Sequence, residues 1–120
     1  MTPVTLATPA GAMDALERRT VCVDLDFTLC RHDGDYSAAE PLPGAAAALA
    51  RLRDQGWVVV IHTGRHFNHW RVTVDWLDRH GLAYDQIVFG KPPARVYIDD
   101  RAVAFQGDWD AVCESLGSPA

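Results

Sequence analysis

VCVDLDFTLC, residues 21–30, alternates apolar residues with two carboxylates. Side chains along a strand repeat with a period of two residues, so Asp24 and Asp26 are expected to leave the same face, a few ångströms apart. Two neighbouring carboxylates repel each other, and each is costly to bury unless a cation or a proton compensates. The stretch therefore predicts a buried strand that delivers two acids to its C-terminal end. The same spacing recurs at 33–35 and 108–110, which are predicted to be a loop and a helix start, so the downstream sequence has to support the assignment.

Length and composition predict one domain, because 120 residues with 48% hydrophobic residues suffice for a single core. The net charge of -5 argues against binding to a nucleic acid duplex, which relies on basic contacts to phosphates. The three cysteines form no C-x-x-C pair and are interpreted as thiols in a reducing compartment, with Cys22 in the core. The first 19 residues lack the features of a signal peptide or membrane anchor, so a cytoplasmic location without membrane contact is expected.

The order of the remaining elements predicts an α/β fold. Residues 1–12 are expected to form a loose tail, and residues 13–120 a single domain. The predicted helices have apolar faces at Ala45, Ala48, Leu49 and Leu52, at Trp70, Val74 and Leu77, and at Trp109, Val112, Cys113 and Leu116. The predicted strands are 57–62, 86–89, 95–98 and a shorter one at 102–105. Strands that alternate with helices imply a Rossmann-like, doubly wound parallel sheet.

Ligands of such sheets bind beyond the carboxyl ends of the strands. Those ends are expected to bring together Asp24, Asp26, Thr63, Asp99 and Asp100. Four carboxylates on one rim favour a divalent cation such as Mg²⁺. Lys91 is the only lysine beside ten arginines, and it precedes the second acid pair in a loop where its compact charge could reach a phosphate oxygen.

Four segments in this order resemble the motifs of the haloacid dehalogenase superfamily of aspartate-nucleophile phosphatases. They are DLDFTL (24–29), VVIHTG (59–64), Lys91 in FGKPP (89–93) and VYIDD (96–100). The resemblance covers about residues 20–105. Residues 84–102 are more narrowly similar to small bacterial phosphatases associated with capsular polysaccharide biosynthesis.

The resemblance implies a Mg²⁺-dependent phosphomonoester hydrolase. Asp24 would attack phosphorus and form an aspartyl-phosphate, while Asp26 would protonate the leaving oxygen and then activate water. The phosphoryl oxygens would be bound by Thr63, Gly64 and Lys91, and the metal by Asp24, the Asp26 carbonyl, Asp99 and Asp100. A sugar phosphate or another phosphorylated metabolite is the expected substrate.

Two features depart from the common pattern of this superfamily. Phe27 occupies the position after the second aspartate, where glycine is usual, and glycine adopts backbone angles that phenylalanine does not. The gaps between the motifs are also too short for a cap domain, since residues 29–43 could form only a small flap. We therefore expect a capless protein whose site is open to a bulky phosphate ester or covered by a second subunit of a homo-oligomer.

Two other functions fit the same scaffold, namely a phospho-accepting signalling domain and a non-catalytic phosphate-binding domain. Receiver domains place the acid pair before the acceptor, whereas here a second acid pair comes last. His66 and His69 could share a metal, but no cysteine or third histidine is near in sequence, so we interpret them as the start of a surface helix. His62 lies within an apolar strand and is interpreted as a core histidine.

Overall fold

The computed structural model describes residues 8–119, so the first seven residues of the predicted tail lie outside the described part of the chain. In chain order, the strands and helices are β1 (Thr20–Val23), β2 (Cys30–Arg31), β3 (Glu40–Pro41), α1 (Ala45–Asp54), β4 (Val58–His62), α2 (Trp70–Arg79), β5 (Gln86–Val88) and α3 (Trp109–Leu116). Short 3-10 helices cover Ala10–Ala12, Glu17–Arg19, Tyr36–Ala38 and Phe67–His69. None of the helices described between residues 8 and 119 is long and apolar enough to cross a membrane.

The central sheet has three parallel strands in the order β1-β4-β5, and helices flank it. Cys22 of β1 pairs with Val60 of β4, and Ile61 of β4 pairs with Ile87 of β5. The middle of β4 is buried, as predicted for a parallel strand covered on both faces. The predicted α/β fold with a parallel sheet is therefore confirmed.

The helices α1 and α3 bury faces that the sequence predicted. All four predicted apolar residues of α1 are buried: Ala45, Ala48, Leu49 and Leu52. Asp108 caps α3, since its carboxylate accepts a hydrogen bond from the backbone N–H of Ala111, and Trp109 and Cys113 are buried.

The buried face of α2 differs from the prediction. Trp70 is 40% exposed, and the residues that face the interior are Thr73, Trp76 and Leu77. The indole N–H of Trp76 donates a 2.8 Å hydrogen bond to the carbonyl of Ala39, in the segment that carries β2 and β3 (residues 30–41, here called the flap). Because the flap packs against this side of α2, the buried face is rotated away from Trp70.

The predicted strands at 95–98 and 102–105 are wrong, since neither segment is extended into a sheet. Ile98 is 98% exposed. Two consecutive prolines precede the segment and supply no N–H for pairing, and the hydroxyl of Tyr97 donates to the carbonyl of Pro92, which folds this segment onto itself. As a result β1 is an edge strand of the described sheet. Cys22, which was expected in the core, is exposed on the face opposite buried Val23.

Candidate active site

The loop that follows β1 is tightly hydrogen-bonded. The carbonyl of Leu25 accepts the N–H groups of Thr28, Leu29 and Cys30, and Phe27 N–H donates to the Cys30 carbonyl at 2.6 Å. From α3, the indole N–H of Trp109 donates to the Thr28 carbonyl at 2.9 Å. These bonds fix the backbone between the two aspartates and the start of the flap.

Asp24 lies at the carboxyl end of β1, and its side chain is 36% exposed. One carboxylate oxygen is 3.8 Å from Lys91 Nζ. The other accepts a 3.3 Å hydrogen bond from the hydroxyl of Thr28. The structure therefore brings together an accessible carboxylate and the single lysine of the chain, which the sequence had placed on the same rim.

The backbone beyond β5 positions Lys91. Lys91 N–H donates to the Thr63 carbonyl at 3.0 Å, and Gly90 N–H donates to the Arg65 carbonyl at 3.1 Å. A Cβ atom on Gly64 would lie only 3.2 Å from the Lys91 carbonyl oxygen, so the two loops can approach this closely because residue 64 is glycine. The ammonium group of Lys91 lies 4.3 Å from the ring centroid of Tyr97, where the ring face favours a cation.

Asp26 is bound by Arg65 rather than by the groups around Asp24. The guanidinium of Arg65 donates to both carboxylate oxygens, with the shortest distance, 2.7 Å, from Nη2 to Oδ1. Arg65 is only 3% exposed, and it also donates to the hydroxyl of Thr73 at 3.0 Å. The ring of Tyr36 covers it, with 3.7 Å from Cζ to the ring centroid. Contacts with Asp26, Thr73 and Tyr36 therefore hold the guanidinium of Arg65 in one position.

His32 is a second neighbour of Asp26. Its Nε2 lies 2.9 Å from Asp26 Oδ1. Nε2 has no partner in hydrogen-bonding geometry among the described residues, so we interpret this close contact as electrostatic. His32 also packs edge to face on Tyr36, at 5.1 Å between ring centroids. The flap thus contributes directly to the surroundings of Asp26.

These neighbours change the acidities of two groups in the loop. Burial raises the pKa of Asp26, but the hydrogen bonds and charge of Arg65, together with His32, outweigh it and hold that pKa below its usual value. Burial, followed by the charge of Asp26, raises the pKa of the Cys30 thiol to about 11. At neutral pH, Asp26 is therefore ionised and Cys30 is a protonated, poorly nucleophilic thiol.

Thr63 is fully buried at the end of β4. Its hydroxyl oxygen accepts the backbone N–H of Arg65 at 3.1 Å. This hydrogen bond stabilises the turn after which the side chain of Arg65 points into the interior. The role of Thr63 in phosphate binding stays a prediction.

Asp99 and Asp100 do not join the other carboxylates. Both are exposed; Asp99 accepts a hydrogen bond from the backbone N–H of Arg101 at 3.0 Å, and Asp100 accepts one from the Arg101 guanidinium at 3.5 Å. Within residues 8–119, no group of three or more His, Cys, Asp or Glu side chains is placed to bind a metal ion. The expected gathering of four acids on one rim is therefore absent from the described structure, because the segment that carries the second acid pair does not enter the sheet. As placed, Asp99 and Asp100 do not complete a metal site around Asp24, and the need for Mg²⁺ stays a prediction.

The two histidines after β4 have other contacts. Nδ1 of His66 accepts the backbone N–H of Asn68 and caps the short 3-10 helix. The ring of His69 packs edge to face on Tyr36, at 5.2 Å between centroids. His62 is half-buried in β4.

Sequence reasoning missed the residues that surround Asp26. Arg65 follows a threonine-glycine pair and could equally have pointed into solvent, and nothing in its spacing indicates that it binds Asp26. His32 and Tyr36 lie in a polar flap without periodicity. The one available signal was that an arginine directly follows the predicted second motif.

Comparisons with known proteins give sequence and structural relatives. No family model matches the chain. Over 75 residues it is 37% identical to a protein of Chlorobaculum tepidum named "Putative 5'(3')-deoxyribonucleotidase". This alignment covers 54% of the chain and 37% of the relative, so the chain spans little more than a third of that protein.

Two solved structures have the same fold. A crystal structure of a target protein from Vibrio cholerae superposes with a TM-score of 0.63 at 32% identity, covering 71% of this chain and 82% of that one. A chain in the structure of the Pnkp1/Rnl/Hen1 complex superposes with a TM-score of 0.55 at 24% identity, covering 72% of this chain and 31% of that one. The chain is therefore a homologue of a protein that bears a nucleotidase name, and its parallel sheet flanked by helices is consistent with a small Rossmann-like fold of the haloacid dehalogenase type.

Proposed function

We propose that the chain is a phosphomonoesterase that uses Asp24 as its nucleophile. The observation that carries this proposal is the 3.8 Å distance between the partly exposed Asp24 carboxylate and Lys91 Nζ at the carboxyl edge of the sheet. A carboxylate repels a phosphate ester, which is also an anion. A lysine at this distance offsets that repulsion and stabilises the charge that develops on the phosphoryl oxygens.

In the first step, an Asp24 oxygen forms a bond to phosphorus as the ester P–O bond breaks, and the leaving oxygen takes a proton from Asp26. In the second step, water attacks phosphorus and gives a proton to Asp26, the bond between Asp24 and phosphorus breaks, and inorganic phosphate leaves. Of the groups expected to bind the phosphoryl oxygens, Lys91 has its Nζ 3.8 Å from an Asp24 oxygen, and its backbone N–H bonds to the carbonyl of Thr63, which precedes Gly64.

The surroundings of Asp26 suit these two roles at different moments. An ionised Asp26 is the correct form for accepting a proton from water in the second step, and Arg65 favours this form. For the first step Asp26 needs a proton. A dianionic phosphate bound beside it raises its pKa, because a neighbouring like charge disfavours ionisation.

Mg²⁺ belongs to the proposal through the resemblance alone. Such an ion would neutralise charge on the phosphoryl group, and the expected protein ligands are Asp24, the Asp26 carbonyl, Asp99 and Asp100. No step above uses it.

The proposed substrate class is nucleoside monophosphates. It is supported by the name of the Chlorobaculum tepidum protein, which is similar to this chain over 75 residues.

The test is a panel of phosphate esters, assayed with and without Mg²⁺, on the wild-type protein and on Asp24→Asn. We expect phosphate release by the wild type and at least about a thousandfold loss in Asp24→Asn, because the substitution removes the nucleophile. Asp75→Asn is the matched control, since Asp75 is exposed on α2 and has no part in the site. Release of phosphate by Asp24→Asn at the wild-type rate would contradict the proposal, and a long-lived phosphoprotein without turnover would support a phospho-accepting domain instead.

A further inference from the structure

The backbone of Phe27 has a left-handed conformation, with φ of +64°. Among residues 8–119, it is the one non-glycine residue with a positive φ. The tight loop requires this angle, because Phe27 N–H bonds back to the Cys30 carbonyl at 2.6 Å. Glycine would adopt the angle without strain, whereas a bulky side chain is strained there. A phenylalanine at this position is thus unfavourable for the loop itself.

The ring of Phe27 gains little packing energy that could offset this strain. It is 64% exposed. Its aromatic neighbour is the ring of His32, at 5.2 Å between centroids and tilted by 35°. A strained residue that contributes little to the core is more often retained for binding or catalysis than for stability.

Phe27 and His32 line an open hollow of about 480 Å³ on the flap side of the site. Its other lining residues are Arg31, Asp33, Ala38 and Glu40, three of which carry a charge. His32 connects the hollow to the reacting groups, since its Nε2 is 2.9 Å from Asp26 Oδ1. His32 therefore contacts both the hollow and Asp26, the residue that we propose to protonate the leaving oxygen.

We propose that this hollow binds the leaving group of the substrate and that Phe27 stacks on a flat heteroaromatic ring, as in a nucleobase. This inference rests on the proposed function and assigns the leaving-group side of that site. A nucleobase has an apolar face, which suits the exposed ring of Phe27, and a polar edge, which suits the charged side chains of Arg31, Asp33 and Glu40. A bare sugar would have no aromatic face to stack on Phe27.

The test compares Phe27→Leu with the wild type on two esters, deoxythymidine 5'-monophosphate and deoxyribose 5-phosphate, which differ by the base. We expect the ratio of kcat/KM for the nucleotide to that for the sugar phosphate to fall about tenfold, as stacking is lost. Phe27→Trp should retain most of the ratio. Phe67→Leu is the matched control, because Phe67 is equally exposed but packs on Phe89, outside this hollow. An unchanged ratio in Phe27→Leu, or the same fall in Phe67→Leu, would overturn the inference.

Phe27→Gly separates a binding role from a structural one. We expect the Tm not to fall, because relief of the left-handed strain offsets the flexibility that glycine adds to the unfolded chain. A large fall in Tm would show that the ring supports the fold and would refute the inference.

Calorimetric titration of each ester into Asp24→Asn extends the test to the case without turnover. In one outcome, the wild type hydrolyses no ester, the nucleotide binds more tightly than the sugar phosphate, and Phe27→Leu/Asp24→Asn loses this preference. The proposed function then fails, while the proposed binding of a nucleobase in the hollow is supported. If the wild type hydrolyses both esters and Phe27→Leu leaves the ratio of their kcat/KM values unchanged, the proposed function is supported and the proposed binding of a nucleobase in the hollow is refuted.

Discussion

Replacing Arg65 by methionine leaves the carboxylate of Asp26 without its main cationic partner. The guanidinium makes bonds to both Asp26 oxygens and one to the hydroxyl of Thr73, and the side chain of Asp26 is only 22% exposed. Removing one partner of a buried ion pair costs about 3–5 kcal/mol. Because Asp26 keeps some exposure and the contact with His32, we expect about 3 kcal/mol, which lowers the Tm by about 12 °C in a domain of this size.

Urea unfolding of the single and double variants measures this cost. In Arg65→Met/Asp26→Asn, no buried charge is left unpaired, so a double-mutant cycle should give a coupling free energy of about 2 kcal/mol. Arg31→Met is the matched control, because the pair between Arg31 and Glu40 is mostly exposed, and it should cost at most about 0.5 kcal/mol. A change in the free energy of unfolding below about 0.5 kcal/mol in Arg65→Met would refute the reasoning.

Three further outcomes are expected, one for Trp76, one for Asp26 and one for Mg²⁺. Trp76→Phe, which loses the hydrogen bond to the Ala39 carbonyl, should lower the free energy of unfolding by about 1–2 kcal/mol in chemical denaturation, and an unchanged value would contradict the role of that bond. The pKa of Asp26 is below its ordinary value of 3.8, so its stabilising contribution is present above pH 3.8 and is lost as the pH falls through the lower folded-state pKa. The excess stability of the wild type over Asp26→Asn, measured by chemical denaturation at decreasing pH from neutral to acid, should therefore shrink at the acid end. A difference that grows there would contradict the assignment. The resemblance, and not a contact in the structure, implies a need for Mg²⁺: dialysis against EDTA is then expected to abolish phosphate release and added Mg²⁺ to restore it, whereas full activity in chelator would remove Mg²⁺ from the proposal.

The sequence predicted the parts of the fold that depend on local periodicity. The run 57–62 has the continuous β-branched pattern of a parallel strand, and α1 has a single apolar face, so both were recognisable without tertiary information. The expectation that phenylalanine does not adopt the backbone angles of glycine is wrong at Phe27, since its φ is +64°, in the left-handed region that glycine favours.

Features that depend on tertiary contacts could not be predicted. The buried face of α2 is set by the hydrogen bond from Trp76 to the flap, which lies 37 residues away in the sequence. The segment 95–98 has a strand-like composition, but a strand needs a pairing partner, and Tyr97 lies against Lys91 and Pro92 instead. The direction of Arg65 depends on Asp26, which is 39 residues away. Periodicity carries no information on such pairings.

The central claim is that Asp24 attacks phosphorus, and mass spectrometry of acid-quenched reactions tests it most directly. The protein is mixed with a nucleoside monophosphate, quenched during turnover and digested. We predict that the mass of one phosphoryl group appears on the peptide that contains Asp24 and is absent from the same peptide of Asp24→Asn. Phosphate release without any phosphorylated peptide, or a phosphoryl group on another residue, would contradict the account.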